Sequence, residues 1–204
     1  MKDLEKVKEN LEKRGYSVSV FPTAAECARY LDRCIDKTSV GIGGSVTVEQ
    51  LGVFPMLKAH NAVYWHNDPE QVDKFGMQGV QKMAADTDVY ISSVNAMSEC
   101  GRIINIDFRG NRLASTIFGH RKVYLIAGEN KIAPDFESAM YRARNVAAPK
   151  NAKRLGRKTP CAVNGDRCYD CNSPDRICRG FLTLEMAVAG VETEVLLVRE
   201  ELGF

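Results

Sequence analysis

Thr38-Ser-Val-Gly-Ile-Gly-Gly-Ser45 is the stretch that decides the fold. A short apolar run, Val40 to Ile42, stops at two glycines, and helical spacing resumes from about Val46 with Leu51, Phe54 and Leu57 on one side. That is a strand, a tight turn and a helix start, the repeating unit of parallel α/β sheets. Toward the N-terminus, Leu4, Val7 and Leu11 predict an amphipathic helix ending at Gly15. Ser17 to Phe21 alternates as a strand, and Pro22-Thr23 opens a helix reaching about Ile35. Toward the C-terminus, Ala62 to Trp65 and Asp88 to Ser92 read as strands flanking a helix from Pro69 to Ala85. Lys122 to Ala127 is a β-branched strand, Pro134 to Ala147 a helix, and Thr193 to Val198 the last strand. Ile103 to Phe108, the turn Arg109-Gly110-Asn111 and Arg112 to Ser115 read as an antiparallel hairpin. The expectation is one α/β domain over residues 1–204, with a mostly parallel open sheet and helices on both faces. Residues 1–36 form its N-terminal helical and strand segment, and 159–180 a cysteine-rich insertion before the last strand.

Composition limits the function classes. Lys and Arg total 28 against 26 Asp and Glu, a net charge of +2, which lacks the basic footprint of a nucleic-acid binder. No apolar stretch approaches the roughly 18 residues of a membrane span. The charged stretch from Met1 to Arg14 has no apolar core of a signal peptide, so a cytoplasmic protein is expected. In that compartment seven cysteines, an odd number, do not suggest a disulfide framework. Cys27 and Cys34 fall in a helical pattern and read as small buried hydrophobes.

The amides around Gly41, Gly43, Gly44 and Ser45 can hold a phosphate or carboxylate, since open α/β sheets bind ligands at strand C-termini. A tight turn with a Ser cap explains the same residues equally well. The spacing is neither a flavin or nicotinamide dinucleotide fingerprint nor a phosphate-binding P-loop. Ser92-Ser-Val-Asn-Ala-Met-Ser-Glu-Cys-Gly101 closes another strand. Asn95 would face such an anion, and Glu99 is a candidate nucleophile or base, or else a solvated turn carboxylate. His60, His66 and His120 are scattered in sequence, with His120 close enough to a strand to line the same cleft or sit in a surface turn. The basic stretch Lys150 to Lys158 reads as a solvated linker or helix.

Cys161, Cys168, Cys171 and Cys178 form a C-x6-C-x2-C-x6-C array among turn formers such as Asn164, Gly165, Asn172 and Pro174. Thiolates at this spacing suggest a metal site, with zinc preferred. An iron–sulfur cluster, redox-active thiols and incidental loop cysteines are the rival readings, and the spacing matches neither common ferredoxin run.

Taken together, Val40-Gly-Ile-Gly-Gly-Ser-Val-Thr, Ser93-Val-Asn-Ala-Met-Ser-Glu-Cys-Gly101, Asn105-Ile-Asp, Gly110-Asn-Arg112, Ile117-Phe-Gly-His, Lys122-Val123 and Gly128-Glu-Asn-Lys131 resemble the LUD-domain family of lactate-utilisation proteins. Asp170-Cys-Asn-Ser-Pro-Asp-Arg-Ile-Cys178 and Glu201-Leu-Gly-Phe204 look like its standalone members. The resemblance implies a fold similar to glucosamine-6-phosphate deaminase, ribose-5-phosphate isomerase and coenzyme A transferases, and by that analogy a homodimer. Ser98-Glu-Cys-Gly101 is similar to the Ser-Glu-Asn-Gly motif that carries the catalytic glutamate of coenzyme A transferases, departing at its third position. The family's role implies a small anionic metabolite and a place in the oxidation of L-lactate to pyruvate beside iron–sulfur partner subunits. An accessory subunit is expected first, a transferase- or isomerase-like enzyme using Glu99 second, and a metal-stabilised assembly module for a redox partner third.

Overall fold

The computed structural model describes residues 2–204. Its first half follows the hydrophobic patterning closely. Helix α1 (Leu4–Glu12) starts where the Asp3 side chain accepts the Lys6 amide, and α2 (Ala24–Cys34) where Thr23 accepts the Glu26 amide. Strand β1 (Ser17–Phe21) leads into α2, and β2 (Ser39–Ile42) into α3 (Val46–Leu51), which α4 (Val53–Lys58) follows. Then come β3 (Ala62–Trp65), α5 (Pro69–Ala85) with Asp68 as its cap, and β4 (Val89–Ser93). The second half holds β5 (Ala96–Ser98), β6 (Ile103–Asp107), α6 (Asn111–Ile117), β7 (Lys122–Gly128), β8 (Ile132–Ala133) and α7 (Phe136–Arg142). A π-helical turn, Ala143–Ala147, joins α7 to α8 (Ala148–Arg154). Helix α9 (Pro160–Asn164), β9 (Gly180–Leu184) and β10 (Glu192–Val198) complete the chain.

Six strands form a parallel sheet in the order β1-β10-β7-β4-β2-β3. Alternation along β7 shows how it is buried on both faces. Tyr124 and Ile126 join Leu31 of α2, Val48 of α3 and Leu57 of α4 on one side. Val123, Leu125 and Ala127 join Leu4, Val7 and Leu11 of α1 on the other. That second side also receives Met97, Ile103 and Leu184 from a small sheet ordered β8-β5-β6-β9. The expected α/β architecture is therefore present.

Three sequence expectations are corrected. Residues 112–115 are not the return strand of a hairpin but the start of α6. Gly110, at φ +83°, turns the chain with its amide on Asp107 Oδ2 at 2.7 Å, and Arg112 is drawn inward by a buried network described below. The partners of β6 are instead β5 and β9, both antiparallel, so the small sheet is built from pieces that residue patterning did not reveal. The helix expected to end at Ala147 continues to Arg154. The π turn lets it pass Pro149, whose missing amide would break a regular helix. Cys34 is exposed, unlike Cys27, which is buried as expected.

Gly41 is a packing glycine. A side chain there would run into the Ala84 carbonyl at the end of α5 and crowd Thr87 Oγ1 at 2.8 Å. Backbone cannot yield as a flexible side chain can. Gly41→Ala is expected to destabilise the fold by about 3 kcal/mol or more, read as a drop in the urea midpoint at unchanged m-value.

Candidate functional site

The C-terminal ends of β2, β3 and β4, with the segment after β7, open onto one cleft whose outer wall is α8. Its inner part is lined by Gly44, Ser45, Thr47, Ser93, Asn95 and Lys131. Its wider mouth is lined by His66, Arg109, Asn151, Arg154 and Arg157, with Met77, Phe108 and Leu155 as apolar wall.

Of the residues expected in the anion loop, Gly44, Ser45 and Asn95 do line the cleft. Gly41 and Gly43 do not. Gly41 packs against α5, and the Gly43 amide is already bonded to the Ile91 carbonyl at 2.9 Å. The Ser45 hydroxyl caps α3 through the Val48 amide at 3.3 Å and meets Ser93 Oγ at 2.6 Å. With only six residues, α3 offers little dipole to hold an anion. The charge of this cleft comes from its side chains.

Arg112 is the frame. Its Nη1 donates to the Ser93 carbonyl and Asn105 Oδ1, at 3.2 and 3.0 Å. Its Nη2 donates to Asn95 Oδ1 and the Ile106 carbonyl, at 3.0 and 2.6 Å. This guanidinium stitches β4 to β6 and fixes the Asn95 carboxamide. Asp107, 3.4 Å from Arg112 Nε, is the one side-chain carboxylate lining the cleft among the described residues.

Arg109, Arg154 and Arg157 are held by neutral groups instead. Arg109 donates to Gln81 Oε1 at 3.0 Å, Arg154 makes two bonds to Asn151 Oδ1 at 3.1 and 2.9 Å, and Arg157 lies over the Phe108 ring. Deepest in the cleft is Lys131, 3% exposed, whose Nζ donates to Thr47 Oγ1 at 2.6 Å and the Val94 carbonyl at 2.9 Å. Burial pushes its amine down to about 7, and the positive charges of Arg142 and Arg112 add to the effect. Burial also lowers His66, with Arg109 adding, so its imidazole is neutral near pH 7.

Glu99 lies elsewhere, at the Ser98–Gly101 turn against α1. Lys6 Nζ is 3.4 Å and Lys2 Nζ 3.8 Å from its carboxylate, and Asn10 Nδ2 donates to its backbone carbonyl at 2.8 Å. It is not among the residues lining the cleft. These half-exposed ion pairs contribute little, so Glu99→Gln is expected to change stability by less than about 1 kcal/mol and to leave anion binding in the cleft unchanged by calorimetry. His120 is buried rather than in a surface turn, stacked on Tyr90 with its Nδ1 2.6 Å from the Thr87 carbonyl, ahead of β7 and away from the cleft. His60 bridges Asp32 and Asp36 on the surface.

All four insertion cysteines, Cys161, Cys168, Cys171 and Cys178, line a single separate pocket against α8. Among the described residues, no three His, Cys, Asp or Glu side chains are grouped closely enough to hold one metal ion.

The residues that sequence reading missed are Lys131, His66, Arg109, Asn151, Arg154 and Arg157. Two signals could have found some of them. Lys131 and His66 both follow parallel strands, where ligands of open sheets bind. Asn151 and Arg154 are three apart in a stretch able to be helical, so they share a face.

The family model described as LUD domain matches residues 4–198. A crystal structure of a DUF162 family protein from Deinococcus radiodurans is similar in fold, with a TM-score of 0.53 at 12% identity, covering 96% of this chain and 95% of that one. No curated protein sequence matches. No helix among the described residues is long and apolar enough to cross a membrane.

Proposed function

Because the chain belongs to the LUD domain family, we propose that it serves organic-acid metabolism by binding a small carboxylate or phosphorylated metabolite in the cleft beside α8. One observation carries this reading: three guanidinium groups held by neutral partners and a buried amine face a cleft whose single side-chain carboxylate among the described residues is itself engaged by Arg112 and the Gly110 amide. Cations held by neutral partners have their field unspent, and an entering anion supplies the missing charge. Arg154 and Arg157 grip the anionic group, Arg109 and His66 line the mouth, and Lys131 contacts the innermost atoms. Family membership extends the reading to lactate utilisation, in which the chain acts as an accessory subunit of L-lactate oxidation to pyruvate beside iron–sulfur partner subunits. Thermal melts with L-lactate, pyruvate, inorganic phosphate and coenzyme A test it. At least one should raise the melting temperature in proportion to the logarithm of its concentration. A flat response to all four removes the reading.

A further inference from the structure

Lys131 offers the cleft more than a positive charge. It ends the turn that follows β7, buried, and no carboxylate pairs with it among the described residues. The Thr47 hydroxyl donates to the Leu202 carbonyl at 3.2 Å, so it meets Lys131 Nζ as an acceptor at 2.6 Å. The Val94 carbonyl, at 2.9 Å, can only accept. Two N–H groups are thereby spent, and a tetrahedral nitrogen has one position left. On an ammonium that position is a third N–H without a partner. On a neutral amine it is a lone pair, the form that burial and the charges of Arg142 and Arg112 favour. A desolvated lysine with a free lone pair is a nucleophile for carbonyl carbon.

The surroundings define the carbonyl compound. The inner cleft has about 40 Å³ of free space against about 250 Å³ at the mouth, and Arg154 lines both parts. A ligand with its anionic group on Arg154 and its other end at Lys131 has little room for a spacer. A 2-oxo acid meets that limit, because its carbonyl carbon is bonded directly to the carboxylate. Asn95 is set to hold the carbonyl oxygen. Its Oδ1 is occupied by the Ile106 amide at 2.9 Å and Arg112 Nη2 at 3.0 Å, which leaves its Nδ2 to donate into the cleft. The Ser45 and Ser93 hydroxyls, 2.6 Å apart in the same inner space, form a short path for a proton.

We propose that Lys131 captures a small 2-oxo acid as an imine, an inference that rests on the cleft being the anion site. The Nζ lone pair attacks the carbonyl carbon, forming the C–N bond as the C=O π bond breaks onto oxygen. One amine proton and one proton from solvent leave with that oxygen as water. The other amine proton stays on the nitrogen of the resulting iminium, whose positive charge faces the ligand's carboxylate.

Trapping tests this on the whole chain. Wild-type protein is incubated with pyruvate and sodium cyanoborohydride near neutral pH, and the reduced adduct is located by peptide mass spectrometry. An ordinary lysine is neutral in roughly one chain in a thousand at pH 7.5, so exposed lysines react slowly. The expected result is one adduct per chain, on Lys131, with almost none from acetone, which has the carbonyl but no anionic group. Lys131→Met should lose it. No adduct, an adduct spread over exposed lysines, or equal trapping of acetone overturns the imine. The map on wild-type protein decides the matter even where the variant fails to fold. Calorimetric titration with the four anions, without reductant, separates the two readings. Binding without an adduct removes the imine and leaves the anion site, whereas no binding of any anion removes the site itself.

Discussion

Arg154→Glu is expected to abolish the thermal stabilisation conferred by whichever small anion binds. The guanidinium of Arg154 points into the cleft from α8 and is anchored only by Asn151, so its removal leaves no buried carboxylate behind. A hydrogen bond to a charged group is worth about 1.5–3 kcal/mol, which is a loss of roughly 10- to 150-fold in affinity for Arg154→Ala. Reversal adds repulsion. Unit charges 4 Å apart at an effective dielectric of 20 interact by about 4 kcal/mol, so the glutamate variant should show no binding up to millimolar ligand. Arg29→Glu makes the same change in net charge on an exposed face of α2 and is expected to bind as wild type does. Calorimetric titration of the three proteins side by side checks this. Equal affinity in wild type and Arg154→Glu would place the anion elsewhere.

Anion binding near pH 8 is expected to take up close to one proton per chain. Lys131 accounts for it. With its amine held at about 7 in the free protein, most chains carry it neutral at pH 8. Its two N–H bonds, to Thr47 and Val94, suit that neutral form. An anion arriving nearby favours the ammonium and draws a proton from buffer. Titration in two buffers of different ionisation enthalpy measures the uptake directly, and Lys131→Met should reduce it to near zero. The sign for the free protein follows from the same shift. Between about pH 7 and the unfolded value of 10.5, the unfolded chain holds one proton more than the folded one, so stability rises with pH across that window. The slope is at most about 1.4 kcal/mol per pH unit. Lys131→Met should flatten it. Uptake that persists in the variant would assign the proton to another group.

Much of this architecture was legible in the residues because periodicity records burial. The parallel strands are apolar on both faces, and their helices carry caps such as Asp3, Thr23 and Asp68. The small sheet was not legible. Strand β5 is three residues long, and the run after Gly110 became helix because Arg112 is bonded across β4 and β6, a tertiary cause that no local pattern contains. The site divides the same way. Gly44, Ser45 and Asn95 were readable from the strand-end rule, whereas Gly41, within β2, and Gly43, just after it, are close-packing residues, set against Ala84 and Thr87 and against Tyr90 and Ser92 respectively. Arg154 and Arg157 were hidden in a basic stretch that is indeed largely solvent-exposed, and only the placement of α8 along the cleft, after the π turn, gives them a site to line. Glu99 carried a motif likeness, but its turn faces α1.

The most direct measurement is a crystal structure of the protein grown with the anion that stabilises it most. The account predicts its carboxylate or phosphate oxygens within hydrogen-bonding distance of Arg154, with the remainder of the molecule directed toward Asn95 and Lys131. An anion bound anywhere outside this cleft would contradict the proposed function.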